Sequence, residues 1–179
     1  MRLTVKTVKE QAHEDGVWAS CWVPGTNNLM TGAVDESVKV WTNTENALVH
    51  QHTYSGLAGH TLGVVSVAAN STGTLAASSA LDSFVRVWST EDHSEKVLLE
   101  SLPTEVWSIA FGPHSDKCLL AAAGGTSGTI KIWDITNHAS TESPPLPTVI
   151  EVPQVILAIR TLLLEFRCSL HVHGAGSCS

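Results

Sequence analysis

Basic residues are scarce in this sequence. Ten Lys and Arg stand against 17 Asp and Glu, which gives a formal net charge of −7, and the ten are scattered along the chain. A surface that follows a phosphate backbone needs a basic stripe, so we expect no direct binding of nucleic acid. The four cysteines have no paired spacing, which favours small buried side chains in a reducing compartment.

Long apolar runs and catalytic motifs are missing as well. Residues 155–166 are apolar but shorter than the roughly 20 residues that a membrane span needs, and Arg160 interrupts them. The first 11 residues contain no apolar run typical of a secretory signal. There is no phosphate-binding loop, no Gly-x-Ser-x-Gly elbow and no His-Glu-x-x-His motif. We therefore expect a soluble intracellular protein that is not an enzyme and has no cofactor, membrane partner or small-molecule substrate.

One histidine pair invites a zinc hypothesis. His171 and His173 form a His-x-His pair, and Cys168 precedes them by three residues. No Asp or Glu follows, and Cys178 lies five residues beyond the pair. We predict no metal site.

A histidine, an aspartate and a tryptophan recur along the chain at one spacing. The aspartate follows the histidine by 22 residues, and the tryptophan follows the aspartate by six. The two sets, 47 residues apart, are His13, Asp35 and Trp41, and then His60, Asp82 and Trp88. A further β-branched run ends at Trp133, 45 residues after the second tryptophan. A period of about 40–47 residues that ends in this way is typical of four-stranded propeller blades.

Each copy consists of short β-type runs separated by turn residues. In the second copy the runs are VVSVAA, TLAASS and FVRVW, divided by NSTG at 70–73 and ALD at 80–82. No window of 11 or more residues before residue 134 shows a helical stripe. We predict an all-β fold, a propeller fragment of about three four-stranded blades.

The recurring polar residues suit a buried hydrogen-bond network that fixes strand register. A turn Asp can accept from an imidazole, the imidazole can bond a strand Ser, and the Ser can bond a Trp indole. The second copy has all four residue types, whereas the first has Ala19 where Ser would stand. The third has Leu102 and Ser127 in place of His and Asp. The predicted network residues are His13, Asp35, Trp41, His60, Ser66, Asp82, Trp88, Ser108 and Trp133.

These residues carry a family resemblance. The Gly-His pair, turn Asp and terminal Trp resemble WD repeats over residues 12–134. The segments AHEDGVWASCWVP, GAVDESVKVW, GHTLGVVSV, AASSALDSFVRVW and TEVWSIAF together resemble the plant WD-repeat subunit shared by the polymerase-associated factor (PAF) elongation complex and the Ski (superkiller) complex. The resemblance implies a non-catalytic scaffold in transcription elongation, histone modification and exosome-linked mRNA decay. Its partners would be protein subunits of these complexes, in the nucleus and also the cytoplasm.

The resemblance also implies a partner-binding top face. In related propellers the residue after the first Val of the innermost strand faces the channel mouth, and the residue before each turn Asp reaches the top face. For the two tryptophans in this set, burial between blades is the alternative. The implied top-face residues are Trp18, Val34, Val65, Leu81, Trp107 and Thr126.

The pattern divides the chain into six segments. A complete family member is expected to have seven blades, so three repeats predict a truncated propeller. Two alternatives remain, a substrate receptor of a cullin ubiquitin ligase and a non-functional truncation product. The repeat ends WTNT, WSTE and WDIT lack the Arg that is expected of such a receptor. The segments are 1–11, a closing or edge strand; 12–58, 59–101 and 102–138, three WD repeats; 139–153, a Pro/Ser linker with a possible outer strand; and 154–179, a divergent tail.

Overall fold

The computed structural model describes residues 5–55, 59–101, 106–113, 117–124, 128–136 and 146–151. Within these ranges the regular structure is β, in three separate four-stranded antiparallel sheets. The same ranges hold no helix of the length and apolarity that a membrane crossing requires. The predicted all-β fold of three four-stranded blades is confirmed.

Each sheet is one blade, in which strands that follow one another in the chain lie side by side. Blade 1 contains β1 (Val17–Trp22), β2 (Asn28–Ala33), β3 (Val38–Asn43) and β4 (Leu48–Tyr54). Blade 2 contains β5 (Val64–Ala69), β6 (Leu75–Ala80), β7 (Phe84–Ser89) and β8 (Glu95–Glu100). Blade 3 contains β9 (Ser108–Phe111), β10 (Leu119–Ala123), β11 (Thr129–Asp134) and β12 (Thr148–Glu151).

The outer strand of blade 3 comes from the Pro/Ser-rich segment. β12 lies inside 139–153, and it pairs with β11, where Ile132 is opposite Thr148. The other strands lie inside the three segments assigned to the repeats, 12–58, 59–101 and 102–138. The tail, 154–179, lies outside the described residues, together with its two histidines and two cysteines.

The described part of the leading segment, predicted as a closing or edge strand, contains no strand. Residues 5–9 have no regular structure and residues 10–11 form a turn, while residues 1–4 lie outside the described part. A strand needs a neighbour that bonds its N–H and C=O groups, and no described strand pairs with this segment. Instead, the Lys9 ammonium lies 5.8 Å from the centre of the Trp41 ring, within reach of a cation–π interaction.

The turn between β5 and β6 shows why glycine is needed where blades approach. Gly73 has a φ of 70°, in the left-handed region that favours glycine, and its N–H donates to the Asn70 carbonyl. The Asn70 side chain accepts from the Leu75 N–H at 3.0 Å, which closes the turn. A Cβ at Gly73 would lie 2.1 Å from the carbonyl oxygen of Pro24 in blade 1. Both the turn and the contact between blades therefore exclude a side chain here.

The hydrophobic core lies between the blades. β1 packs beside β5, and β5 packs beside β9. Each blade therefore covers a face of its neighbour, as repeat units do when they stack. Among the most buried members are Met30, Val38, Val64 and Trp88 between blades 1 and 2, and Val85, Leu99, Leu120 and Trp133 between blades 2 and 3.

One side of β1 is exposed, although the equivalent sides of β5 and β9 are buried between blades. Val67 of β5 and Ile109 of β9 stand at equivalent positions and are buried in the two clusters. Ser20 stands at this position in β1 and is exposed, and Trp22 beside it is 54% exposed. In the part of the chain that the structure describes, no blade packs on this side of β1.

Aromatic rings join blades 1 and 2 at their outer ends. Tyr54 of β4 stacks on Trp88 of β7 with 4.4 Å between ring centres, and its hydroxyl lies 2.7 Å from Nδ1 of His93. The His93 ring stacks on His52 at 4.0 Å. Burial and the nearby His93 lower the pKa of His52, and burial raises the pKa of Tyr54 to about 12. The neutral forms of His52 and Tyr54 are thus favoured at this contact.

Gly32 tests the boundary between blades 1 and 2. A Cβ at Gly32 would lie 2.5 Å from Cγ1 of Val64, a fully buried side chain. We predict that Gly32→Ala lowers the free energy of unfolding by about 1–3 kcal/mol in a urea titration, because an overpacked boundary must shift. The double variant with Val64→Ala should lose less than the two single variants combined.

The control for this prediction is Gly16→Ala. A Cβ at Gly16 would meet no atom of a distant residue closer than 3.8 Å. Its free energy of unfolding should therefore change much less than that of Gly32→Ala. Equal losses in the two variants would contradict the overpacking argument.

Candidate functional site

A continuous hydrogen-bond network crosses blade 1. The Trp41 indole N–H donates to the Thr31 hydroxyl at 2.8 Å, and this hydroxyl lies 2.7 Å from Nε2 of His13. Nδ1 of His13 lies 3.0 Å from the Asp35 carboxylate. The network assigns the imidazole proton to Nδ1, so that Nε2 accepts from Thr31. Every polar group in this buried chain has a partner.

The turn aspartates also fix their own turns. Asp35 accepts the Ser37 N–H and Asp82 accepts the Phe84 N–H, each at 3.1 Å from Oδ1. This is the Asx turn, in which the side chain replaces a backbone acceptor. The residue after each aspartate has a left-handed φ, 66° in the first turn and 74° in the second. The two turns share one geometry, which places each carboxylate in hydrogen-bond contact with the loop that carries its histidine.

The Asp35 carboxylate is held in its charged form. Burial raises its pKa, but hydrogen bonds from the Ser37 hydroxyl, from the Glu14 and Ser37 backbone N–H groups and from His13 outweigh burial, so its pKa is lowered overall. The Ser37 hydroxyl lies 2.7 Å from Oδ1 and the Glu14 N–H 2.9 Å from Oδ2. A charged acceptor strengthens the hydrogen bond from His13.

Blade 2 repeats the arrangement. Nδ1 of His60 lies 2.9 Å from Asp82, and Nε2 lies 2.6 Å from the Ser78 hydroxyl. The Thr61 N–H donates to the same carboxylate at 3.0 Å. The Trp88 indole N–H is buried and has no hydrogen-bond partner among the residues that the structure describes, so this network stops at Ser78.

The hydroxyl predicted for this network was assigned to the wrong strand. Ser66 on β5 does not bond His60; it accepts the Ile109 N–H of blade 3 at 3.2 Å. Ser108 in β9 and Ala19 in β1 occupy the same register position as Ser66 in β5. Neither therefore stands where the network hydroxyl is found. The hydroxyl comes instead from the second strand of the blade, as Thr31 or Ser78. Both stand 18 residues after the histidine and ten before the tryptophan, a signal that the sequence contained.

Blade 3 lacks the hydroxyl among its described residues. The position of Thr31 in blade 1 and of Ser78 in blade 2 is occupied by Ala122 in blade 3. Each of these residues pairs with a basic residue of the third strand, which is Lys39, Arg86 or Lys131 respectively. Trp133 is buried in the cluster between blades 2 and 3. Leu102 and Ser127, which replace the histidine and aspartate, lie outside the described residues.

The Ser78, His60 and Asp82 side chains have the connectivity of a hydrolase triad. A nucleophile must reach its substrate, and Ser78 has no exposed surface. The network therefore serves the fold, as a satisfied buried network does by fixing one arrangement of strands. Over the described ranges, no three His, Cys, Asp or Glu side chains are grouped for a metal ion.

The predicted top-face residues lie where the innermost strands begin. Trp18 and Val65 are the extra residues of equivalent β-bulges in β1 and β5, and Trp107 directly precedes β9. A bulge redirects a side chain out of the pleat. Trp18 is 52% exposed and Trp107 is 45% exposed, whereas Val65 is half-buried. The two indoles are thus not enclosed between blades.

The turns beside these strands complete the top face. The Val34 N–H donates to the Gly16 carbonyl at 3.0 Å, and the Leu81 N–H donates to the Gly63 carbonyl at 3.1 Å. Both turn residues are half-buried, and Thr126 lies outside the described residues. The top face is defined below as Trp18, Val34, Val65, Leu81 and Trp107. Each of these turns also carries a network aspartate, so the same two turns hold both the network and the top-face residues.

Similar proteins share the repeat. The family described as "WD domain, G-beta repeat" matches residues 4–42, 50–89 and 96–134. WD repeat-containing protein VIP3 of Arabidopsis thaliana is 44% identical over 144 residues, which cover 77% of this chain and 43% of VIP3. WD repeat-containing protein SL1-17 of Schistosoma mansoni is 34% identical over 136 residues, 74% of this chain and 43% of the relative.

A third relative has an F-box-like part in its name beside the WD repeats. F-box-like/WD repeat-containing protein TBL1X of Mus musculus is 29% identical over 145 residues, 75% of this chain and 27% of the relative. This chain therefore spans less than half the length of each of these three relatives.

Thr31→Val tests the first network. Valine keeps the shape of threonine but leaves Nε2 of His13 and Nε1 of Trp41 without a partner. We expect the free energy of unfolding to fall by about 1–3 kcal/mol in a urea titration. Thr53→Val is the matched control, because the Thr53 hydroxyl bonds the exposed His50 at 2.7 Å and water can replace it. A similar loss in both variants would refute the role assigned to Thr31.

Acid should destabilise the chain through its buried imidazoles. Burial lowers the pKa of His13 and His60 from the ordinary value of 6.5, with the Asp35 and Asp82 contacts offsetting part of the effect. Below this value the unfolded chain binds more protons than the folded chain, so stability is complete above about pH 6.5 and falls as the pH drops toward the folded-state pKa. Urea titrations at about pH 7.5, 6.5 and 5.5 measure the slope.

The His60→Asn variant is the control for this pH dependence. It should be less stable than the parent at neutral pH, but it should lose less of its remaining stability on acidification because one imidazole is gone. A parent chain whose free energy of unfolding stays constant over this pH range would contradict the prediction.

Proposed function

The chain belongs to the WD-repeat family, and we propose that it acts as a non-catalytic scaffold that binds protein partners through its top face. The observation that carries this proposal is the pair of half-exposed indoles, Trp18 and Trp107, held at the starts of innermost strands. Tryptophan is enriched among the residues that dominate binding energy at protein interfaces. A rigid strand end presents it at a low cost in conformational entropy.

The charges around Trp18 favour one kind of partner segment. Glu14, Asp15 and Glu36 lie in the adjoining loops and are exposed. An apolar anchor beside acidic side chains suits a segment with an apolar side chain and flanking basic residues, because opposite charges speed encounter and exclude acidic competitors.

We further propose that this partner is a subunit of the PAF elongation complex or of the Ski complex. The resemblance of the repeat sequences to the subunit shared by these complexes supports this assignment, as does the 44% identity to VIP3. Roles in histone modification and exosome-linked mRNA decay follow, with action in the nucleus and also in the cytoplasm. Because the chain spans 43% of VIP3, the proposal concerns the surface that these three blades carry.

Substitution of the two indoles tests the proposal. PAF and Ski complexes are prepared without their WD-repeat subunit, and the affinity of this chain for each is measured by interferometry. Trp18→Ala and Trp107→Ala should each weaken binding by about 30-fold, the effect expected of an interface hot spot. Trp22→Ala is the matched control, because this indole is also half-exposed but lies at the other end of β1.

Two results would count against the proposal. Unchanged affinity for both complexes after both top-face substitutions would remove the top face as the binding surface. Recovery of cullin adaptors, without PAF or Ski subunits, in a pull-down with the parent chain would instead support a ubiquitin-ligase receptor.

A further inference from the structure

The Trp18 side chain reaches across the boundary between blades 1 and 2. Its backbone belongs to β1, but the outer edge of its indole lies against Gly63, which directly precedes β5. A Cβ at Gly63 would lie 3.1 Å from Cζ3 and 3.6 Å from Cη2 of the ring. The first distance is shorter than ordinary contact, so a side chain at this position must displace the ring.

The opposite end of the same indole has more room. A Cβ at Gly16 would lie 3.9 Å from Nε1, an ordinary van der Waals distance. Gly16 and Gly63 are equivalent residues of consecutive repeats, 47 positions apart. A methyl group at Gly16 therefore fits beside Trp18, whereas one at Gly63 requires the ring or its neighbours to move by a few tenths of an ångström.

Gly63 is itself held in place by blade 2. It is buried, and its carbonyl accepts the Leu81 N–H at 3.1 Å. Leu81 precedes the aspartate that bonds His60, so the network of blade 2 fixes the surface against which Trp18 rests. The adjacent Leu62 is 48% exposed, which places an apolar side chain of blade 2 next to this position.

We infer that Gly63 is a positioning residue of the partner-binding surface: the missing side chain lets the Trp18 indole lie across the blade boundary, where it joins Leu62 in one apolar surface. This inference rests on the proposed function, because it concerns how the top face binds. Residues of two blades then form the binding surface together, although the indole belongs to blade 1.

Four variants of the full chain test the inference: Gly63→Ala, Gly16→Ala, Trp18→Ala and Trp18→Ala/Gly63→Ala. The probe is whichever of the two WD-subunit-free complexes binds the parent chain. Gly63→Ala should weaken binding by about 5- to 10-fold, and Gly16→Ala by less than about 2-fold. In the Trp18→Ala background, Gly63→Ala should add nothing, since no indole remains to be displaced.

The double variant separates the indole from the backbone. A Cβ at Gly63 would also lie 3.3 Å from Cα of Val34, so Gly63→Ala could act by moving that turn. An effect of Gly63→Ala that persists without the indole would overturn the inference. If Gly63→Ala fails to fold, folding of the double variant supports the indole contact, and its failure overturns the inference.

A spectroscopic readout follows the ring without any partner. The chain is labelled with 5-fluorotryptophan, and the Trp18 fluorine resonance is assigned by its loss in Trp18→Phe. Gly63→Ala should shift this resonance and Gly16→Ala should leave it in place. An unmoved resonance in Gly63→Ala would overturn the inference.

Failure of the proposed function has a different signature. In that case Trp18→Ala leaves the affinity for both complexes unchanged. If Trp18→Ala weakens binding while Gly63→Ala binds like the parent chain, the proposed function stands and the positioning role of Gly63 is wrong.

Discussion

In each of the first two blades, a buried histidine donates a hydrogen bond to an aspartate 22 residues further along the chain. This bond joins the loop before the first strand to the turn between the second and third strands. The loop before the first strand carries the histidine, and the turn between the second and third strands carries the aspartate. Burial favours the neutral ring, and the contact with the aspartate places its proton on Nδ1, so the other nitrogen accepts from a strand hydroxyl. Strand register and loop position thus depend on one side-chain pair.

The same pair shapes the surface above it. The turn that carries each aspartate donates a backbone hydrogen bond to a glycine in the loop that carries the histidine. These hydrogen bonds hold the backbone that carries the exposed apolar side chains, so binding of the proposed partner would need little further ordering of this surface. In blade 3, Ala122 replaces the strand hydroxyl, and the Trp107 N–H donates to the Ala123 carbonyl at 3.0 Å.

Much of the fold could be predicted from spacing, because a recurring His, Asp and Trp can stand 22 and six residues apart only if each copy repeats one arrangement of strands. The exposure of Trp18 and Trp107 agrees with the place that the family resemblance implies for them, and their part in partner binding stays a prediction. The network hydroxyl did not follow from its place in the repeat, because Ser66 and Ser78 are both strand serines and their local sequences do not say which one faces the imidazole. The alternating residues before His13 suggested a strand, but a ladder depends on a neighbour that local sequence cannot supply. The contact between Trp18 and Gly63 joins residues 45 positions apart, so it could be seen only in three dimensions.

The matched repeats and the blades are out of step by one strand. The matched segments 50–89 and 96–134 begin within β4 and β8, the outer strands of blades 1 and 2, and continue through the first three strands of the next blade. Each of these two repeats therefore closes the preceding blade before it opens its own. A recombinant piece cut at residue 89 would keep two whole repeats but lose β8, and with it Leu99 from the boundary that faces blade 3. A cut after residue 101 would keep two whole sheets. Expression boundaries for proteins of this kind should therefore follow the ends of sheets, even where that divides a sequence repeat.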